Sequence, residues 1–299
     1  MIEVKDISFS YKKNEQIIKN VTFSVPKGAI YGFLGKNGSG KTTIIRLLLD
    51  LCKVDSGKIY IKGEGINRNT TYLYKNIGTL IESPSLYKNL SGKENLELFA
   101  LYYGVQKERI NDVLDIVGLQ NSSTKKVRNY SLGMKQRLGI GLSILHDPEL
   151  LILDEPLNGL DPQGIAEIRA LLLKLNKEEG KTIFISSHLL GEIENTCSDV
   201  GIINNGGILF DGKISDLRKS LINKSEYFMY CDSPEKASTM INDELNICNR
   251  VENNRLIIEV TNKEEIPYIV NLLINNDIKL YEFSKQENSL ETLFLKLTK

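Results

Sequence analysis

The chain has 299 residues, 41% apolar and 25% charged, which suits two globular domains with a large buried core rather than one small domain or a disordered chain. Lysine plus arginine equals aspartate plus glutamate at 38 each, which argues against a duplex-binding protein relying on a bulk basic surface, so no nucleic-acid partner is expected. No apolar run approaches the roughly 18–20 residues needed to cross a bilayer, and Met1-Ile2-Glu3-Val4-Lys5-Asp6 lacks the basic start and apolar stretch of a signal peptide.

The expectation is therefore a cytoplasmic chain that forms no membrane pore itself. Cys52, Cys197, Cys231 and Cys248 are scattered, without CxxC spacing or a neighbouring histidine, and read as reduced thiols in a reducing compartment. In chain order, the alternation over Ile2–Phe9 predicts a half-buried strand, and Val21–Val25 and Lys58–Lys62 read likewise. Pro26-Lys27-Gly28 is a turn signal. The apolar run Ala29–Leu34 fits a buried parallel strand. A glycine-rich loop follows, then a helical pattern from Thr43 to Leu51.

The middle, roughly Lys75 to Pro148, reads as mostly helical. Ser91-Gly92-Lys93-Glu94 is a capping box opening a helix through Tyr103, and a second helix over Lys107–Val117 stops at Gly118. Leu150–Leu153 predicts another buried strand, Gln163–Glu179 a helix ended by Gly180, and Thr182–Ser186 a strand. Gly201–Asn204 and Gly207–Phe210 predict a hairpin about Asn205-Gly206. Buried strands alternating with helices imply an α/β fold with a doubly covered, mostly parallel sheet.

The character changes near Leu221, which places the expected domains at 1–220 and 221–299. The second reads as strand Glu226–Cys231, helix Pro234–Ile241, strand Ile247–Val251, an Asn253-Asn254 turn, strand Arg255–Val260, helix Glu264–Ile274, strand Ile278–Phe283 and helix Leu290–Leu297. This β-α-β-β-α-β order is ferredoxin-like. It carries no chemical motif and could regulate, dimerise or contact a partner.

Gly35-Lys36-Asn37-Gly38-Ser39-Gly40-Lys41-Thr42 matches the phosphate-binding loop G-x-x-x-x-G-K-[ST] in full. Successive backbone N–H groups make an anion cradle, glycines let the backbone approach phosphate, and the helix beginning near Lys41 adds its positive end. Gly35, Asn37, Gly38, Ser39, Gly40, Lys41, Thr42 and Thr43 are thus expected to hold a nucleoside triphosphate. Lys41 should reach the β and γ phosphates and the Thr42 hydroxyl should ligate Mg2+. Leu150-Leu151-Ile152-Leu153-Asp154-Glu155 ends a buried strand on two carboxylates. Asp154 is expected to hold Mg2+ through water, and Glu155 to polarise the attacking water as general base. Alternation along a strand would point the two to opposite sides.

Tyr130-Ser131-Leu132-Gly133-Met134-Lys135-Gln136-Arg137 resembles the signature L-S-G-G-Q-x-Q-R of the ATP-binding cassette family. Ser131, Gly133, Gln136 and Arg137 match, whereas Tyr130, Leu132 and Met134 depart. The resemblance covers about three quarters of the chain. It implies a P-loop fold with an antiparallel β subdomain and a helical subdomain, and ATP and Mg2+ as cofactors. It also implies that Ser131 and Gly133 bind the γ-phosphate held by a second copy in a head-to-tail homodimer.

By the same resemblance, Asp161 in Asn158-Gly159-Leu160-Asp161 contacts the dimer partner. His188 contacts the γ-phosphate and orients water, making Glu155, His188 and Lys41 the catalytic set. Tyr11 stacks on adenine. Glu82 in Ile81-Glu82-Ser83-Pro84 stands where the family has a glutamine that touches both Mg2+ and the membrane partner; a carboxylate there keeps an oxygen ligand and adds charge.

With Leu86-Tyr87-Lys88-Asn89-Leu90 and Glu94-Asn95-Leu96, Glu82 resembles the bacitracin-resistance and lantibiotic-immunity ATPases. These are exporter subunits peripheral on the inner membrane face through a separate transmembrane permease. A soluble cassette protein acting on ribosomes or DNA is another reading, against which stand the single cassette and the absence of visible coiled-coil or zinc insertions. An importer subunit is a third, disfavoured by the Glu82 segment.

Overall fold

Ile2, Val4, Ile7 and Phe9 are all buried, and the segment that carries them is strand β1 (Ile2–Lys12). It pairs antiparallel with β2 (Glu15–Val25), register shifts at four places absorbing its irregular alternation. The structure is a computed structural model describing residues 1–12, 15–66, 70–222 and 225–285; the helix predicted over Leu290–Leu297 lies outside the described residues.

β3 (Ile30–Leu34) is buried at every position and leads through the glycine-rich loop into α1 (Lys41–Leu48). Then come β4 (Ser56–Ile61), β5 (Glu64–Gly65), β6 (Ile77–Leu80), α2 (Gly92–Tyr103), α3 (Lys107–Ile116) and α4 (Leu132–Ile144). β7 (Leu150–Leu153), α5 (Pro162–Lys177), β8 (Thr182–Ser187), α6 (Leu190–Thr196), β9 (Asp199–Asn204) and β10 (Gly207–Lys213) complete the first of two units, Met1–Ile214.

Its two sheets are antiparallel, in the order β2-β1-β4-β5, and mixed, in the order β10-β9-β3-β8-β7-β6. In the mixed sheet only β10 runs antiparallel to its neighbour, on the Asn205-Gly206 turn with φ of 47° and 81°. Phe23 from the antiparallel sheet packs on Tyr31, Phe33 and Phe184 of the mixed one, with ring centroids 5.2–6.2 Å apart. Each such ring, fully buried, contributes about 1.5–3 kcal/mol. The buried Tyr31 hydroxyl is satisfied by Asp211 at 2.6 Å.

The sequence pattern missed β6 inside the stretch read as helical. Only four residues long, it pairs parallel to β7 from Ile77↔Leu150 to Leu80↔Leu153. Gly78 lets α4 close over it, because a Cβ there would lie 2.0 Å from the Ser143 carbonyl oxygen. The seven-residue α6 and the nine-residue α7 (Ile214–Ile222) were also missed, being too short for a periodic signal.

The second unit, Ser215–Lys299, holds β11 (Ser225–Cys231), α8 (Pro234–Leu245), β12 (Asn249–Glu252), β13 (Arg255–Val260), α9 (Glu265–Asn275) and β14 (Leu280–Lys285). Its sheet is antiparallel, in the order β12-β13-β11-β14. Tyr227, Met229, Ile241, Leu256, Ile258, Ile269 and Leu273 belong to one buried cluster. Asn253 and Asn254, at φ of 50° and 59°, make the predicted turn. No helix among the described residues is long and apolar enough to cross a membrane.

Candidate active site

β3, β8 and β7 are adjacent and parallel, so the segments leaving their C-terminal ends are brought together. The first is the phosphate-loop sequence. At Gly35 a Cβ would meet Ser39 Oγ at 2.4 Å and the Ile203 carbonyl oxygen at 2.7 Å, so the tight turn excludes a side chain. Gly40, at φ 109°, opens α1, which begins with Lys41 and Thr42. Lys41 is 6% exposed, and its ammonium donates to the carbonyls of Gly35 at 2.8 Å and Lys36 at 3.3 Å. Ser39 Oγ is buried without a hydrogen-bond partner. A cradle closed to side chains, with a buried cation and an orphaned hydroxyl, suits an anionic oxygen ligand.

The second segment is the end of β7. Asp154 is 2% exposed and accepts hydrogen bonds from Thr42 Oγ1 at 2.9 Å and Ser186 Oγ at 2.5 Å. Glu155 has left the strand conformation, at φ 47°. Its carboxylate therefore does not take the opposite side that strand alternation predicts, and both acids line one cleft of about 400 Å3 with Thr42 and Glu82. Glu155 Oε1 lies 3.2 Å from the Lys41 ammonium, and Oε2 lies 2.9 Å from His188 Nδ1. His188 follows β8 directly, as the sequence placed it. Lys41, Glu155 and His188 thus form one connected group.

A second opening, about 310 Å3, lies beside the first. It is lined by Tyr11, Asn37, Gly38, Gly40, Lys41, Thr42, Thr43 and Glu155. Tyr11 is 49% exposed and packs edge-on to Phe9, leaving ring surface accessible for a base. Arg46 of α1 joins it to Glu82, donating to Tyr11 Oη at 3.3 Å and to Glu82 Oε1 at 2.9 Å. The Tyr11 hydroxyl first, and the Glu82 carboxylate after it, raise the Arg46 guanidinium above its ordinary pKa. Glu82 itself is exposed and at φ 60°.

Ser131 and Asp161 act locally within the chain. Ser131 is the exposed N-cap of α4, accepting from the Met134 N–H at 3.2 Å. It does not line the cleft of Lys41. Asp161 caps α5, accepting from the Gly164 N–H at 3.0 Å. A Cβ on Gly133 would lie 3.9 Å from Leu160, and Gln136 Nε2 donates to the Pro156 carbonyl at 3.2 Å, so α4 is tied to the loop that follows Glu155.

Three contributors escaped the sequence reading. Gln136 was noted only as a signature match, Arg46 sits in an ordinary helical pattern, and Ser186 was an unremarked residue of a buried strand. The only sequence signal for Ser186 is a polar side chain that ends the apolar run Ile183-Phe184-Ile185.

Among the described residues no three or more of His, Cys, Asp and Glu are placed to hold a metal. The donors present are a hydroxyl, Thr42, and one buried carboxylate, Asp154, bonded to each other beside the phosphate loop. That set fits Mg2+, which keeps several waters and is bound through one or two carboxylates plus phosphate oxygens.

The ABC transporter family profile matches residues 18–158. The bacitracin transport ATP-binding protein BcrA of Bacillus licheniformis is 41% identical over 299 residues, spanning 99% of this chain and 97% of that protein. The lantibiotic transport ATP-binding protein SrtF of Streptococcus pyogenes is 43% identical over 211 residues, 71% of this chain and 90% of that protein. Among solved structures, cbiO1 from Clostridium perfringens, part of the ABC transporter complex cbiONQ, superposes with a TM-score of 0.68 at 27% identity, covering 74% of this chain and 92% of that one. The dimeric structure of a bacterial ABC transporter cassette superposes with a TM-score of 0.64 at 25% identity, covering 72% and 99%.

Proposed function

The chain belongs to the ABC transporter family as an ATP-hydrolysing subunit, and from that premise we propose that it powers an exporter of antimicrobial peptides of the bacitracin or lantibiotic kind. The observation that carries the chemistry is the group Lys41–Glu155–His188 beside the Thr42–Asp154 pair. The relatives named for bacitracin and lantibiotic transport support the substrate class.

Lys41 and the loop over Gly35–Thr43 bind the phosphates, and Tyr11 takes the adenine. Thr42 and Asp154, with Glu82 at the cleft edge, would hold Mg2+, which when bound supplies charge neutralisation at the phosphates. Glu155 takes a proton from the attacking water. His188 holds the Glu155 carboxylate and reaches toward the γ-phosphate. In the resting chain Lys41 pairs with Glu155; an arriving phosphate draws the ammonium off and leaves the carboxylate to act as base.

The site is completed by a second copy, head to tail. Ser131 and Gly133 at the N-terminus of α4 face the partner's nucleotide, and Asp161 lies in the same interface. The exposure of Ser131, away from its own nucleotide cleft, supports this, as does the dimeric cassette that this unit resembles. A separate transmembrane permease docks over the region from Glu82 to Leu96. The exposed Tyr87 within it, and Leu101 and Tyr102 just after it, offer apolar surface for such a contact. The protein then resides at the inner face of the cell membrane through that permease, and closure and opening of the dimer drive it.

Glu155→Gln should trap an ATP-bound dimer, visible by size-exclusion chromatography in ATP, with negligible turnover; undiminished ATPase activity would sink the role given to Glu155. Deletion of the gene should raise sensitivity within a panel of bacitracin and lantibiotics, and unchanged sensitivity to every peptide would overturn the exporter reading.

A further inference from the structure

One hydroxyl ties both acids of the site together. Ser186 is fully buried, at 0% exposure, on β8. Its proton goes to Asp154 Oδ1 at 2.5 Å, and its oxygen accepts from the Glu155 N–H at 2.8 Å. Asp154 Oδ2 takes the Thr42 hydroxyl at 2.9 Å. The two oxygens of Asp154 are therefore bonded to two different elements, α1 and β8, which fixes the plane of the carboxylate. A serine hydroxyl has one proton. While Asp154 is an anion that proton is committed to it, and the Ser186 oxygen is left to receive Glu155.

The backbone explains why this hydroxyl is needed. The parallel pairing of β7 with β8 ends at Leu153↔Ile185. The Asp154 N–H turns to Leu80 on the other neighbour, β6. Glu155 then enters the left-handed region at φ 47°, where a non-glycine residue is strained. Its N–H no longer has a ladder carbonyl, and Ser186 Oγ takes that place. Two residues further on, His188 Nδ1 holds the Glu155 carboxylate at 2.9 Å. The segment through β8 thus grips Glu155 at both ends, backbone through Ser186 and carboxylate through His188.

We infer that Ser186 is a positioning residue for ATP hydrolysis: it orients the Asp154 carboxylate toward the Thr42 side and pins the turn that presents Glu155 to Lys41 and His188. This rests on Glu155 being the general base and on Thr42 and Asp154 being the Mg2+ side of the site. Removing the hydroxyl strips Asp154 of one donor and leaves the Glu155 N–H without its acceptor, while the phosphate loop keeps its own contacts.

The test uses the full chain with Ser186→Ala, Ser186→Thr and Glu155→Gln. For each, kcat and KM for ATP, the thermal midpoint, and ATP binding by calorimetry in EDTA and across a Mg2+ titration are measured. Ser186→Ala should lower kcat, and raise the Mg2+ concentration needed for tight ATP binding, each by about 10-fold or more, as loss of a partner behind a metal ligand does. ATP binding in EDTA should stay at the wild-type value. Ser186→Thr, which keeps the hydroxyl, should recover most of both losses.

A wild-type kcat and Mg2+ response in Ser186→Ala would overturn the inference. So would equal impairment of the Ala and Thr variants with weaker ATP binding in EDTA and a lowered thermal midpoint, which marks a plain core residue. If Glu155→Gln is inactive while Ser186→Ala is fully active, only the inference about Ser186 fails; if Glu155→Gln retains turnover, the general-base reading beneath it fails.

Discussion

The two units bury polar groups on different terms. In the first, Lys41, Asp154 and Ser186 are each at most 6% exposed, and their partners lie on segments far apart in the chain. Glu155 is held in a strained backbone conformation, and Ser39 keeps an unsatisfied buried hydroxyl. In the second, an apolar cluster fills the space between the sheet and its helices, and the buried Glu226 is answered by Arg250 at 3.1 Å. A strained residue and an orphaned hydroxyl beside a buried cation are costs that a bound ligand can repay. At the ends of β3, β7 and β8 they adjoin the buried Lys41 and Asp154, whereas the left-handed residues of the second unit, Asn246, Asn253, Asn254 and Asp277, lie in caps and turns.

That contrast can be tested from both sides. The largest effect is expected from Lys41→Ala, which removes the buried cation from the phosphate cradle. Turnover should fall about 1000-fold, while denaturation of the second unit keeps its midpoint. A loss of less than about threefold would mean that the cradle does not need its cation.

Ile258→Ala works from the other side, emptying a fully buried position of the second core. It should destabilise that unit by about 2–5 kcal/mol in urea denaturation and leave kcat of the folded protein unchanged. A matching fall in kcat would show that the second unit is part of the catalytic apparatus and would break the comparison.

The smallest effect belongs to a place where the first unit is as locally self-sufficient as the second. The Ser91 N–H first, and then the Ser91 hydroxyl and the Lys126 ammonium, hold Glu94 down to a pKa of about 2. A carboxyl lowered on folding contributes stability that is complete above its unfolded value of about 4.3 and is lost as pH falls from there toward 2. Glu94→Gln should therefore lower stability slightly at neutral pH and flatten the acid limb, the difference from wild type shrinking as pH falls from about 4.3 toward 2. An acid limb identical to wild type would place the capping box outside the stability balance.

The sequence alone determined a good deal. Periodicity located most half-buried strands and amphipathic helices, which repeat every two or 3.6 residues, and continuous apolar runs located β3 and β7, buried at every position. Asn205-Gly206 and Asn253-Asn254 marked turns that require positive φ. The phosphate loop and the acid pair were legible as short local patterns whose chemistry fixes the residue types, whereas the histidine after β8 was singled out only by the family resemblance.

Tertiary structure decided the rest. β6 exists because β7 offers it a parallel partner and because Gly78 lets α4 close over it. Neither condition leaves a mark in four residues of sequence. Arg46 bridges Tyr11 and Glu82 only after α1 has been laid beside both. The left-handed turn at Glu155 overrode the strand alternation that would have sent its carboxylate away from Asp154. Ser186 acquired its meaning from the same place, since a hydroxyl in a buried strand becomes a link between two acids only when the neighbouring strand ends beside it. Local pattern specifies which groups are available, because propensity and burial act over a few residues; which groups meet depends on strand order and backbone turns, which bring together positions more than a hundred residues apart, such as Thr42 and Asp154.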